Sequence, residues 1–129
     1  MIVDGELYKK AKAMLNPREL SSLADAGGVA SALVTEQGNV YVGVCIDTSS
    51  STGFCAEHNA IGAMVTGGES KIMTIVAVNW DGRILAPCGR CREFIYQMNP
   101  ANVQTRVLLS GGRVFTIEQL LPEHWAQDI

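Results

Sequence analysis

Apolar residues change their spacing several times along this chain, and each change marks an element. Leu7, Tyr8, Ala11, Met14 and Leu15 recur at helical spacing, with Asp4 placed to cap the helix and Pro17 to end it. Residues 29–34, "VASALV", and 40–46, "VYVGVCI", read as strands joined by the turn "TEQGN". In the second of these, Val40, Val42, Val44 and Ile46 share one face, and Tyr41, Gly43, Cys45 and Asp47 the other. After the loop "TSSSTGF", the segment "CAEHNAIGAMVTGG" predicts a helix stopped at Gly67-Gly68. Residues 72–78, "IMTIVAV", form a short apolar run, the mark of a strand covered on both faces. A second helix is predicted over 88–98, closed by Asn99-Pro100. "QTRVLL" and "RVFTI" are strands around the turn "SGG", and Thr116 is placed to cap a last short helix, "IEQLL". Met14, Met64, Met73 and Met98 sit at core spacing.

Alternation of helices and strands predicts an α/β domain with helices laid on a sheet. The tight first turn makes the first two strands antiparallel, and the helical connections make later strands parallel, so the sheet is mixed. No repeat, linker or low-complexity tract divides the chain, and residues 1–129 read as one domain.

Composition narrows the function. The chain is 47% hydrophobic and 18% charged, with a net charge of -3. No basic run offers a surface for a nucleic-acid polymer or an anionic membrane. The start, "MIVDGELYKKAKAML", mixes charge with apolar residues and is not a signal peptide. No apolar run approaches the length of a bilayer span. These features predict a cytoplasmic protein, where Cys45, Cys55, Cys88 and Cys91 are thiols or metal ligands rather than structural disulfides.

Three of those cysteines fall at helix starts. Cys55 opens one predicted helix, and Cys88 and Cys91 open the other on one face. Unpaired N–H groups and the positive dipole end favour thiolates there. Three thiolates with an open fourth position make a catalytic rather than a closed structural zinc arrangement. Such a centre is anionic, so cationic or donor groups near the sulfurs would help a bound water ionise. His58, Arg90 and Arg92 are close enough in sequence to do so. Glu57 leads an apolar stripe with Ile61 and Met64. Beside a metal-bound water, a carboxylate in that position can take and return a proton.

A Cys or His two residues before a Glu, followed later by P-C-x-x-C, is the pattern of zinc deaminases. Here it reads "GFCAEHNAI" and "LAPCGRCRE", with weaker echoes in "VASAL", "GNVYVGVCI" and "LLPEHW". The chain resembles the small, tetramer-forming, zinc-dependent cytidine deaminases, and within that superfamily it is similar to the blasticidin-S deaminases. The resemblance covers most of the chain. It implies a three-layer α/β/α fold with a five-stranded mixed sheet and a homotetramer. It also implies zinc on Cys55, Cys88 and Cys91, with zinc-bound hydroxide attacking the amino-bearing ring carbon. Glu57 would protonate the ring nitrogen and then the leaving ammonia, the Ala56 N–H would help hold the ring carbonyl, and Arg90 would moderate thiolate charge. The departures fall on the substrate side. Cys45 and Asp47 stand where nucleoside-using members carry an Asn and a Glu, Gly27 stands where an aromatic ring is usual, and His58 replaces a common Arg.

The leading expectation is hydrolytic deamination of a small molecule, a cytosine-type nucleoside such as cytidine, deoxycytidine or blasticidin S. A free base or another amino-heterocycle is the alternative substrate. A different class is a thiol oxidoreductase using Cys88-x-x-Cys91, which leaves Cys55 and Glu57 without a role. A purely structural zinc with Cys45 as fourth ligand lacks the tight knuckle spacing such sites use.

Overall fold

The computed structural model describes the whole chain, Met1–Ile129. Its elements are α1 (Asp4–Ala13), β1 (Arg18–Ser21), β2 (Ala24–Thr35), β3 (Val40–Thr48), α2 (Ala56–Thr66), β4 (Ile72–Asn79), β5 (Ile84–Leu85), α3 (Gly89–Met98), β6 (Arg106–Leu108), β7 (Val114–Thr116) and α4 (Ile117–Leu120). Single 3₁₀ turns cover Pro100–Gln104 and Ser110–Gly112.

All seven strands join one mixed sheet. β2 lies between β3 and β4 and is antiparallel to both. β4 is parallel to β6, and β6 antiparallel to β7. The five strands expected from the sequence are β2, β3, β4, β6 and β7. Two additions, β1 on β2 and β5 on β4, bring the total to seven. β1 escapes the hydrophobic pattern because all four residues of "RELS" are exposed.

Alternation along the strands builds three layers. Ala32, Val34, Val76 and Val78 face α1, where Leu7 and Ala11 cover them. Leu33, Ile75 and Val107 point to the other side and meet Ala60, Ile61 and Met64 of α2, Ile95 of α3 and Ile117 of α4. Met64 is in this core, but Met14 and Met73 are exposed. Their spacing suits a core, yet α1 has ended at Met14, and the position of Met73 on β4 is uncovered.

Polar side chains tie the layers at a few points. Asn102 is buried, accepts from the Ile72 N–H at 2.9 Å, and donates to the carbonyls of Ser70 (3.0 Å) and Ile95 (2.9 Å). Asp4 does not cap α1: Val3 holds the N-cap position without a side-chain bond. The Asp4 carboxylate instead takes two 2.8 Å hydrogen bonds from Arg106 on β6, which hold it below the usual carboxylate range. Thr116 does cap α4, in a capping box with Gln119.

Two features of β2 and β3 set up the ligand side of the sheet. The β2–β3 register slips between Ala26 and Ala30, so three residues of β2 bulge opposite Cys45. Gly27 makes this possible at φ +86°, where any side chain would collide with the Asn16 carbonyl. The Cys45 sulfur accepts the Val29 N–H at 3.3 Å inside the bulge. Farther along β3, Gly43 lets α2 lie directly on the sheet: a Cβ there would stand 2.7 Å from the Asn59 Cβ and closer still to the Ala60 nitrogen. Gly43→Ala should therefore destabilise the fold by about 1–3 kcal/mol, the usual range for overpacking. Denaturant unfolding checks this; an unchanged midpoint would mean that α2 is free to move off the strand.

Candidate metal centre and active site

The chain from β3 to α2 is pinned before it reaches the site. Ile46 and Phe54 exchange backbone hydrogen bonds of 3.1 and 2.9 Å, and Gly53 leaves no room for a side chain against the Ile46 carbonyl. Thr48 Oγ1 accepts the Thr52 N–H at 2.8 Å within the loop. The hairpin thus delivers Cys55 to the N-cap of α2. On the other side, β5 and Pro87 deliver Cys88 to the N-cap of α3, with Cys91 one turn on. Arg92 braces this start, donating from Nε to the Pro87 carbonyl (2.8 Å) and from Nη1 to the Leu120 carbonyl (3.0 Å). It is a brace between α3 and α4.

The two helix starts converge on one point. Cys88 Sγ lies 3.6 Å from Cys55 Sγ and 3.5 Å from Cys91 Sγ. Sulfurs at Zn–S of about 2.3 Å on a tetrahedral ion stand about 3.8 Å apart, so the three fit one zinc with little adjustment. His58 joins from α2, its Nδ1 3.3 Å from Cys91 Sγ, and the donor atoms of Cys55, His58 and Cys91 all lie within 4.8 Å of one another. The imidazole is held by a parallel stack on Phe94 of α3, with centroids 4.2 Å apart and planes 5° apart. Phe94 was not singled out from the sequence, because nothing local shows that α3 packs its ring on α2.

The fold holds the three thiols unequally. Burial, then the Glu57 charge, pushes Cys91 far up, and burial, then the Cys88 thiol, raises Cys55. For Cys88, burial works upward, but the N–H of Cys91, the neighbouring thiols and the N–H of Arg90 outweigh it and lower the thiol. Binding a cation is what releases protons from such a set. Burial and then Arg90 push the His58 pKa down, and its Nδ1 faces the Cys91 sulfur as donor or acceptor according to tautomer.

A cavity of about 510 Å³ opens beside the sulfurs. Cys45, Asp47, Cys55, Ala56, Glu57, Cys88 and Arg90 all line it, so the structure assembles nearly every residue singled out from the sequence. Glu57 is 5% exposed and its carboxylate makes no hydrogen bond to another side chain. Burial raises its pKa. Cys91 lies behind the wall, buried. His124 packs on Tyr96, ring centroids 4.3 Å apart, and Trp125 is exposed. A larger hollow of about 610 Å³, between α1 and the turn after β6, contains no cysteine.

Residues 4–107 match the family model described as the cytidine and deoxycytidylate deaminase zinc-binding region. The chain belongs to this deaminase family. It is 34% identical over 104 residues to blasticidin-S deaminase of Bacillus cereus, covering 73% of this chain and 74% of that protein. It is 30% identical over 95 residues to a cytidine deaminase of Mycoplasma genitalium, covering 69% and 72%. Among solved structures, the cytidine deaminase of Mycobacterium leprae superposes with TM-score 0.78 at 28% identity, over 95% of this chain and 100% of that one. That of Mycobacterium tuberculosis gives 0.79 at 23% identity, over 96% and 98%, and shows the fold.

As a family member, this deaminase is a hydrolase acting on C–N bonds of a small, cytosine-type molecule, with zinc as its cofactor. No helix is long and apolar enough to cross a membrane. The purified deaminase is expected to carry one zinc per chain by elemental analysis. Full activity in a metal-free preparation would contradict this.

Proposed function

We propose that this deaminase, acting as a single domain over residues 1–129, replaces the exocyclic amine of a cytosine nucleoside by oxygen. Cytidine, deoxycytidine and a cytosine nucleoside antibiotic such as blasticidin S are the candidate substrates. The observation that carries the reading is Glu57: a buried carboxylate without a side-chain hydrogen bond, lining a cavity beside two of three clustered thiols. Such an acid is disfavoured in a core unless chemistry needs it.

Cys55, Cys88 and Cys91 hold the metal in this reading. Zinc, when bound, supplies Lewis-acid activation of the attacking water. The Glu57 carboxylate would accept one proton from that water and pass it to the ring nitrogen, then take the second from the hydroxyl added at the ring carbon and give it to the amine, which leaves as ammonia. Its raised pKa suits the acid half of this cycle. Ala56 is the first residue of α2, so its N–H has no acceptor within the helix and is free to hold the ring carbonyl. With Cys91 as a thiolate, His58 Nδ1, 3.3 Å away, would donate to that sulfur, with Phe94 fixing its ring, and Arg90 adds positive charge at the cavity wall. Both offset the negative charge of three thiolates.

The cavity volume supports a nucleoside over a free base, since it leaves room beyond one pyrimidine ring. Asp47 on its wall can accept a sugar hydroxyl. Cys45, whose sulfur is engaged by Val29, contributes shape. A thiol oxidoreductase would need only two sulfurs and would leave Glu57 unexplained. We also infer a homotetramer, on the strength of the family resemblance, and a cytoplasmic setting.

Glu57→Gln should keep zinc and fold yet lose roughly 10² to 10⁴ in turnover, the usual worth of a positioned proton shuttle. Near-normal ammonia release would remove Glu57 from that role. With a nucleoside substrate, Asp47→Ala should lower kcat/KM by roughly tenfold or more, as a charge-assisted hydrogen bond of about 1.5–3 kcal/mol requires. Cys45→Ala should change it little, and the reverse pattern would overturn this assignment of β3. Light scattering at micromolar concentration should give four chains per particle; a monomer would refute the tetramer.

A further inference from the structure

We propose that the hollow between α1 and the turn after β6 is a second ligand site, and that it takes a small amphiphilic anion: a ring system carrying one sulfonate, phosphate or carboxylate. The inference goes beyond the deaminase reading of the other cavity and is tested without turnover.

The walls of the hollow divide by chemistry. Its volume, about 610 Å³, lies in the range of small-molecule sites. Ile84 and Leu85 of β5, Leu109 after β6 and Val114 of β7 give it an apolar side. Val114 is 40% exposed, so part of that side is bare to water. Four other lining positions are Gly5, Gly82, Gly111 and Gly112. A Cβ on Gly5, Gly111 or Gly112 would meet nothing within 4 Å, so the space beside them is open. Only Leu85 lines both this hollow and the catalytic cavity, so the two are separate sites.

The rim is positive. Arg83 and Arg113 line the hollow, and Lys12 Nζ lies 3.9 Å from where a Cβ on Gly82 would stand. Arg83 gives Nε to Asp81 at 2.7 Å and keeps both Nη groups without a hydrogen bond. Arg113 holds the Ser110 carbonyl at 3.0 Å and Ser110 Oγ at 3.3 Å within its own turn. Neither Arg113 nor Lys12 has a carboxylate within 4.0 Å. Asp4 is the only acid in the lining, and Arg106 occupies both its oxygens. Two unpaired cations thus meet one apolar wall, in a chain whose net charge is -3. Covering the wall and neutralising the rim are separate demands, and one amphiphilic anion meets both. A bare inorganic anion would leave the wall wet. A neutral ring would leave the cations unpaired.

The probe is 8-anilinonaphthalene-1-sulfonate, compared with N-phenyl-1-naphthylamine, which has the same rings and no sulfonate. Both are titrated by fluorescence into the zinc-loaded protein. The sulfonate should saturate at one molecule per chain, and its affinity should fall about threefold or more as salt rises from about 0.05 M to about 0.5 M. Lys12→Gln combined with Arg113→Gln should weaken it by about three- to tenfold, the scale of exposed charge pairs. The neutral amine should bind that variant as it binds the parent; a mere distortion of the fold would weaken both. Spectra of protein labelled with nitrogen-15 at glycine locate the probe. Gly5, Gly82, Gly111 and Gly112 should shift, while Gly53, which lines the catalytic cavity, should not. No readout involves ammonia release, so failure of the deaminase reading would leave this test intact. Absence of saturable binding, equal weakening of both probes in the double variant, or shifts at Gly53 without the other four would overturn the proposal.

Discussion

Two helix N-termini aimed at one point are the constraint on which this structure turns. Each presents unpaired N–H groups and a positive dipole end, and each begins with a cysteine at its N-cap. The sulfurs meet at 3.5 and 3.6 Å only because the rest of the fold holds α2 and α3 in place. Gly43 lets α2 settle on β3, Asn102 ties α3 to β4, and Arg92 ties α3 to α4. A shared core of Ile61, Met64, Ile95 and Ile117 fixes the distance between the helices. The site is thus a consequence of layer packing rather than of any one loop.

The same geometry separates chemistry from recognition. Glu57 lies on the buried stripe of α2, so its carboxylate is placed by the core and shielded from water. Asp47 lies on β3 where the sheet is open to solvent.

Much of this was legible from spacing. Cys55, Glu57, Cys88 and Cys91 announce themselves by residue type at helix starts, while the stripe Glu57, Ile61, Met64 leaves Glu57 either buried for a purpose or at the stripe's edge, and the fold buries it. Five of the seven strands, β2, β3, β4, β6 and β7, follow from the sequence pattern. What escaped has no local signature. β1 is wholly exposed and exists only because β2 extends far enough to pair with it. The pairing of Glu19 and Asp47 on either side of Asp25 is invisible in one dimension, since register alone brings them together. The stack of His58 on Phe94 depends on the crossing of two helices. Asp4 looks like a cap by type, yet Arg106, 102 residues away, claims it.

The central claim is that three thiolates hold zinc and leave a fourth position open, with His58 outside the ligand set. His58 Nδ1 is near enough to Cys91 to make this a real choice. X-ray absorption at the zinc edge of the purified deaminase distinguishes the two arrangements. The account predicts three sulfurs at about 2.3 Å and one nitrogen or oxygen at about 2.0–2.1 Å. Two sulfurs with an imidazole signature would place His58 on the metal in place of one cysteine, and would contradict it.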